Sequence, residues 1–253
     1  MLSKNKIKFI RSLEKKKFRD ETACFLAEGN KLVSDLLPFF DCELLVAKPR
    51  WMATKGDVKV GELIAVEDGE IEKASLLKTP QDVLAVFRKP DRELPYNELK
   101  TELSLVLDGI QDPGNMGTII RIADWFGIRN VICSLDSADI YNPKTIQATM
   151  GAIARVSVFY ETLADFIDSL TGTPVYGTFL EGNNIYREKL TPNGLIVMGN
   201  EGKGISRSVE KLITSKLFIP NFPAGEKTSE SLNVAVATAI TCSEFRRRSN
   251  PKP

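Results

Sequence analysis

The sequence predicts an α/β protein of two domains, the second a mostly parallel sheet with helices on both faces. Three observations predict it. Apolar runs recur through the second half of the chain, at Leu103–Asp108, Val131–Cys133, Val156–Phe159, Val175–Phe179, Leu195–Met198 and Leu217–Ile219. Helical patterns fall between several of them, which is how a parallel sheet buried on both sides reads in sequence. The stretch RKPDRELPYNELKTE carries Pro90 and Pro95 among many charges and reads as a linker. Residues 1–89 then form a small α/β domain, 90–102 the linker and 103–253 the larger domain.

In the first domain a basic helix is expected around Lys4–Lys17. Asn30 can cap a second helix, whose apolar face holds Leu32, Val33, Leu36 and Leu37. Strands are expected at Leu44–Ala47, Leu63–Val66 and Val83–Phe87. The chain closes on an amphipathic helix from Ser231 to about Arg248, with Ser231 as its cap and Leu232, Ala235, Val236, Ala239 and Ile240 as its buried stripe. Arg246, Arg247 and Arg248 suit the negative end of that helix.

Composition narrows the chemistry. Lys and Arg number 34 against 33 Asp and Glu, a balance that does not advertise a nucleic-acid binder, so any such surface has to come from local clustering. The basic run Lys4, Lys6, Lys8, Arg11, Lys15, Lys16, Lys17 and Arg19 is the candidate. Histidine is absent, which excludes Ser-His-Asp and Cys-His mechanisms and histidine metal sites. Cys24, Cys42, Cys133 and Cys242 are widely spaced without a CxxC pair, so they read as core residues of a reduced protein and no metal is expected. No apolar run reaches membrane-spanning length and the basic N-terminus lacks a signal-peptide core, so the expected location is the cytoplasm, without a membrane partner.

Three loops carry the chemistry. In LVLDGIQDPGNMGTIIRIADWFG a strand ends at Asp108, a Gly/Pro turn follows, and Asn115 can cap a helix with Ile119, Ile120, Ala123 and Phe126 on its core face. Arg121 lies about 200° from Ile119 and about 100° from Ile120, pointing away from much of that face. Gly117 sits one turn earlier on the same side, and an arginine beside an open helix N-terminus suits a phosphate. An ordinary surface arginine fits the spacing as well.

In LIVMGNEGKGIS a strand runs into Gly199, Asn200, Glu201, Gly202, Lys203 and Gly204, where glycines permit positive φ and close backbone approach. The spacing is neither GxGxxG nor GxxxxGK[ST], so it is no dinucleotide fingerprint or P-loop. The third loop, LFIPNFPAGEKTSESLNVAVATAI, joins a strand ending at Ile219 to Ser231, Leu232 and Asn233. Capping explains Ser231, whereas the Asn233 amide beside an apolar stripe suggests a specific partner. Such loops at the carboxyl ends of parallel strands converge on ligands.

Taken together, Asn115-x-Gly117-x-x-x-Arg121, VMGNEGKGIS and IPNFPAGEKTSESLNVAVATAI resemble, in order, the three signature motifs of the SpoU (TrmH-like) methyltransferases of the SPOUT class, over about Leu103 to Arg248. NPKTIQATMGA is similar to an intermediate family stretch, and FLAEGNKLVSDLL to the family's small substrate-binding domain, related in fold to RNA-binding ribosomal proteins. The resemblance implies a deep trefoil knot, a homodimer, and S-adenosyl-L-methionine (AdoMet) as the methyl donor to an RNA ribose 2′-hydroxyl. By carry-over, Asn115, Arg121, Glu201, Ser231 and Asn233 match catalytic positions. Gly199, Asn200, Gly202, Ile219 and Leu232, with Thr178 and Leu180, match the cofactor pocket. The loop Pro223–Glu230 is longer than in compact relatives. The favoured substrate is rRNA, with tRNA, or a non-catalytic RNA-binding assembly factor, as alternatives.

Overall fold

A computed structural model of the chain describes residues 1–67, 69–223, 226 and 229–249, so much of the loop Pro223–Glu230 lies outside the described residues. The chain divides into two compact units: Met1–Arg92 with Asp139–Ala154, and Glu93–Ala138 with Arg155–Pro253. In chain order the elements are α1 (Lys4–Ser12), α2 (Lys16–Thr22), β1 (Cys24–Glu28), α3 (Asn30–Leu36), β2 (Cys42–Ala47), α4 (Pro49–Met52), β3 (Glu62–Ala65), α5 (Ile71–Ala74) and β4 (Val83–Arg88). There follow α6 (Tyr96–Thr101), β5 (Leu103–Asp108), α7 (Pro113–Trp125), β6 (Asn130–Ser134), α8 (Pro143–Thr149), a 3-10 turn at Ala152–Ala154, β7 (Ser157–Glu161) and α9 (Leu163–Ser169). The last are β8 (Val175–Asn184), β9 (Gly194–Gly199), α10 (Arg207–Glu210), β10 (Ser215–Phe218) and α11 (Val234–Ser249).

The first unit is a four-stranded sheet in the order β1-β4-β2-β3. β4 runs antiparallel to β1 and β2, and β3 parallel to β2. Its core joins Leu26, Leu44, Val46, Leu84 and Val86 to Ile10 and Leu13 from the N-terminal helical region. The basic N-terminus forms two helices instead of one, because the chain turns between Leu13 and Lys15. Arg19 explains why this break is held. It is 1% exposed and donates to the Leu13 and Glu14 carbonyls at 2.8 and 2.7 Å and to Asp139 Oδ2 at 2.6 Å. A buried guanidinium with four hydrogen bonds has no face for RNA. Arg11 donates to the Lys73 and Ser75 carbonyls, and Lys6, Lys16 and Lys17 face Glu62, Asp20 and Glu21. Most of the expected basic face is therefore engaged within the unit. Asn30 is not a cap either: its Oδ1 accepts from the Asp82 amide at 3.1 Å, and Gly29 stands before the helix.

The second unit is a six-stranded, fully parallel sheet in the order β10-β8-β9-β5-β6-β7. Helices cover both faces, as alternation along the strands requires. Val106, Ile132, Leu195 and Val197 pack with Leu99, Phe166 and Ile167 of α6 and α9. The opposite face carries α7 and α11, which pack together, and α11 also reaches β9. The expected linker contains α6, which buries Leu99. In a parallel sheet every carboxyl end lies on one edge, so the ends of β5, β9, β8 and β10 share that edge. Among the described residues no helix is long and apolar enough to cross a membrane.

Candidate active site

The site grows from the carboxyl end of β5. Buried Asp108 accepts the Ser206 amide at 2.7 Å, which ties the strand to the turn after β9. Gly109 follows at φ +71°, a left-handed conformation that favours glycine. Its amide donates to Ser134 Oγ at 2.8 Å and its carbonyl accepts from Asn200 Nδ2 at 2.7 Å. This peptide is clamped on both sides by neighbouring strands.

Asn200 organises the glycine loop. Its Oδ1 accepts the Gly202 and Lys203 amides at 2.9 and 3.0 Å, and its backbone exchanges two hydrogen bonds with Gly204. Gly204 sits at φ +69°. A Cβ at Gly199 would meet the Ile205 amide nitrogen at 2.5 Å, so the loop's own return path requires glycine there. These bonds aim Glu201 outward from a fixed backbone.

Asp112 caps α7 by accepting the Asn115 amide at 2.7 Å. Asn115, expected as the cap, lies inside the first turn with its side chain released for another task. Its Nδ2 donates to Glu201 Oε1, and its Oδ1 accepts from Asn233 Nδ2 at 3.0 Å. Asn233 Oδ1 in turn accepts the Ala235 and Val236 amides at 3.0 and 3.3 Å. Asn233, and not Ser231, therefore caps α11, which starts at Val234. The buried stripe of α11 is Val234, Ala235, Thr238, Cys242 and Phe245; of the expected stripe only Ala235 is buried, Ala239 and Ile240 are half-buried, and Leu232 and Val236 are exposed. One amide chain, Asn233 to Asn115 to Glu201, thus joins all three loops.

Other expected positions stand apart from that chain. Arg121 is exposed, and its side chain makes no ion pair or hydrogen bond among the described residues. It lies six positions after Asn115, about 240° around the helix and about 9 Å along it. Gly117 is buried, not on Arg121's open side. Ser231 is exposed. Thr178 Oγ1 donates to the Val197 carbonyl at 3.3 Å, Leu180 is exposed, and Ile219 is half-buried just past β10. Arg246 does not serve its own helix end: Nε donates to the Phe126 carbonyl at 2.7 Å and Nη2 to that of Gly127 at 3.0 Å, capping α7. Arg247 and Arg248 pair with Glu244. The four cysteines are free and buried, and burial pushes the Cys42 and Cys242 thiols up to about 12, far from nucleophilic thiolates.

The profile of the SpoU rRNA Methylase family matches residues 102–243, more than half of the chain. The chain belongs to that family. As a SpoU protein it also carries a match to the MRM3-like substrate binding domain over residues 4–85. It is 32% identical to the 23S rRNA (guanosine(2553)-2′-O)-methyltransferase RlmP of Bacillus subtilis, over 95% of this chain and 96% of that one. A solved structure assigned to the TrmH family of RNA methyltransferases, from Porphyromonas gingivalis, superposes with a TM-score of 0.90 at 43% identity, covering 98% of this chain and 99% of the other. An AdoMet-bound rRNA methyltransferase from Sinorhizobium meliloti matches at TM-score 0.84 and 30% identity, covering 99% and 97%.

Sequence reading of this SpoU site missed Asp108, Asp112, Ser134 and Ser206. Asp112 carried a usable signal, since Asp immediately before Pro-Gly at a helix start is a capping pattern. Ser134 and Ser206 carried none, because their partners lie far along the chain.

Proposed function

We propose that this chain transfers a methyl group from AdoMet to a ribose 2′-hydroxyl of rRNA. The observation that carries the reading is the amide chain from Asn233 through Asn115 to Glu201, which locks three loops into one rigid constellation. Family membership and the activity named for the full-length relative support the reaction.

The residues at the carboxyl edge suit the cofactor. Gly199, Ile219 and Leu232 offer backbone groups and aliphatic surface, with Asn200 and Gly202 beside Gly199 in the chain and Thr178 and Leu180 on the neighbouring strand β8. Backbone groups and aliphatic surface of this kind suit the uncharged adenine of the cofactor. Asn200 contributes indirectly, since its amide is spent on the loop. When bound, AdoMet supplies an electrophilic methyl on a sulfonium.

The chain's own groups then have to bring up a ribose hydroxyl and relieve it of its proton. Arg121 is free to hold an RNA phosphate. A guanidinium cation has no lone pair to offer a proton, so Arg121 positions and the proton leaves to solvent. Positioning of this kind contributes several kcal/mol. Ser231 lies two residues before Asn233 and faces solvent, where it can meet the ribose. Glu201, held by Asn115, fixes the glycine loop. The finer reading adds a trefoil knot in the region from β8 to α11, a homodimer, RNA binding by the N-terminal domain, and a cytoplasmic location.

The test is transfer of tritiated methyl from AdoMet to total RNA of a strain lacking this gene, with size fractionation and alkaline hydrolysis. Label in rRNA within an alkali-resistant dinucleotide is expected, and lost with Arg121→Ala. Label in tRNA would overturn the substrate, and full turnover by Arg121→Ala would overturn its role.

A further inference from the structure

The first unit contains an open cleft of about 550 Å³ lined by Asn30, Lys31, Ser34, Arg50, Trp51, Thr54, Lys55 and Asp82. Its volume falls within the roughly 300–1,000 Å³ of ligand sites. Neither the fold nor the methyl-transfer site accounts for it. α3 supplies one wall, and α4 with the turn after it supplies the other.

Charge and order distinguish this cleft from a surface dent. Three of its lining residues are cations and one is a carboxylate. That carboxylate is already engaged: Asp82 accepts from Arg50 and from Asn30 Nδ2, and Lys48 Nζ lies 3.7 Å from it. The Arg50 and Lys48 cations and the hydrogen bonds around Asp82 hold its carboxyl below the usual range, with the Arg50 bond the largest cause. The residual field of the cleft is therefore positive. Trp51 is buried and donates Nε1 to the Asn30 carbonyl at 3.4 Å, so it is a fixed floor. Lys55 Nζ stands 5.5 Å from its ring centroid, which limits the ammonium to the cleft side. Lys31 projects from the exposed side of α3 and pairs with Asp35 one turn on, and with that carboxylate counted the cleft still keeps more cations than anions.

We propose that this cleft is the RNA-gripping subsite of the first unit: it seats one nucleotide of the substrate strand, with its phosphate between Lys31, Arg50 and Lys55. The proposal rests on the rRNA methyltransferase reading and places the contact at α3 and α4, not at the basic run of α1. Cations arranged round a rigid aromatic floor suit a phosphodiester, which positions an RNA without reading its sequence.

The experiment measures RNA affinity against salt for the full chain and fragments of 23S rRNA. K31Q/K55Q removes two cations without touching the site at the sheet edge. Each phosphate contact contributes about 0.7–0.9 to the slope of log K against log salt, so the slope is expected to fall by about 1.4–1.8. T54W fills the cleft without changing charge, and it is expected to raise Kd roughly fivefold, with AdoMet binding and melting unchanged. An unchanged slope in K31Q/K55Q, or unchanged affinity in T54W, overturns the cleft. K4Q/K8Q is the comparator: loss of slope there and none in K31Q/K55Q would move the contact to α1. Wild-type methyl transfer, measured in parallel, separates the two readings. Transfer with unaffected cleft variants removes only the cleft, and RNA binding through the cleft without transfer removes only the enzyme.

Discussion

Asn233 uses both ends of its amide, and mutation can separate them. The carbonyl end caps α11 through two backbone amides, while the Nδ2 end holds Asn115. Asn233→Ala removes both functions and is expected to cost about 1 kcal/mol through the lost cap alone. Asn233→Asp keeps the cap but sets a carboxylate oxygen against Asn115 Oδ1. Its melting temperature is expected to stay near wild type while methyl transfer falls roughly two- to tenfold, the size of one hydrogen bond. Undiminished methyl transfer in Asn233→Asp would show that Asn233 only caps. The residues of this chain of amides were legible in the sequence because each stood in a loop directly after an apolar strand or before an apolar helix. Their mutual bonds were not legible. Asn115 and Asn233 are 118 residues apart, and no local pattern encodes which of two asparagines caps and which is released.

At the scale of elements, most boundaries follow from burial. Strands β5, β6 and β9 read as continuous apolar runs because both faces are covered. β1 was missed: its five residues are all buried, but the run CFLAE includes Ala and Glu and abuts a helix, so periodicity alone did not mark it. The terminal helix was placed three residues early because Ser-Leu-Asn offers two capping side chains. The arginines at its far end illustrate the same limit. Arg246 caps α7 across 120 residues of sequence. Arg246→Ala therefore exposes the end of a different helix, and a charged hydrogen bond of about 1.5–3 kcal/mol, discounted for partial exposure to about 1–2, is at stake. The expected fall in Tm is about 2–4 °C per kcal/mol for a chain of this size, read by calorimetry. An unchanged Tm would mean that water replaces the guanidinium at the Phe126 and Gly127 carbonyls.

At the scale of the whole molecule, buried charge sets the response to pH. Glu28 is 4% exposed at the end of β1, and burial raises its carboxyl above the usual range despite bonds from Ser75 and the Leu76 amide. An acid whose folded pKa is raised stabilises the fold when protonated. That contribution is present below the usual carboxylate range and is lost as pH rises through the elevated value. Glu28→Gln is expected to raise Tm at pH 8 and to leave it unchanged well below the carboxylate range, where wild-type Glu28 is already neutral. A gain that persisted undiminished at acid pH would contradict this assignment. The two-unit organisation was visible in composition, but the return of Asp139–Ala154 to the first unit was not, since it depends on pairings such as Arg19 with Asp139 and Phe25 with Tyr141 at 5.0 Å between ring centroids. That return has a consequence for how the protein is made. The backbone passes between the two units three times, so neither can be cut out as one continuous piece. A ribosome that has released the first 92 residues has not yet supplied Asp139 or Tyr141. Arg19 then has to wait, unpaired, until the opening strands of the second unit have also been synthesised.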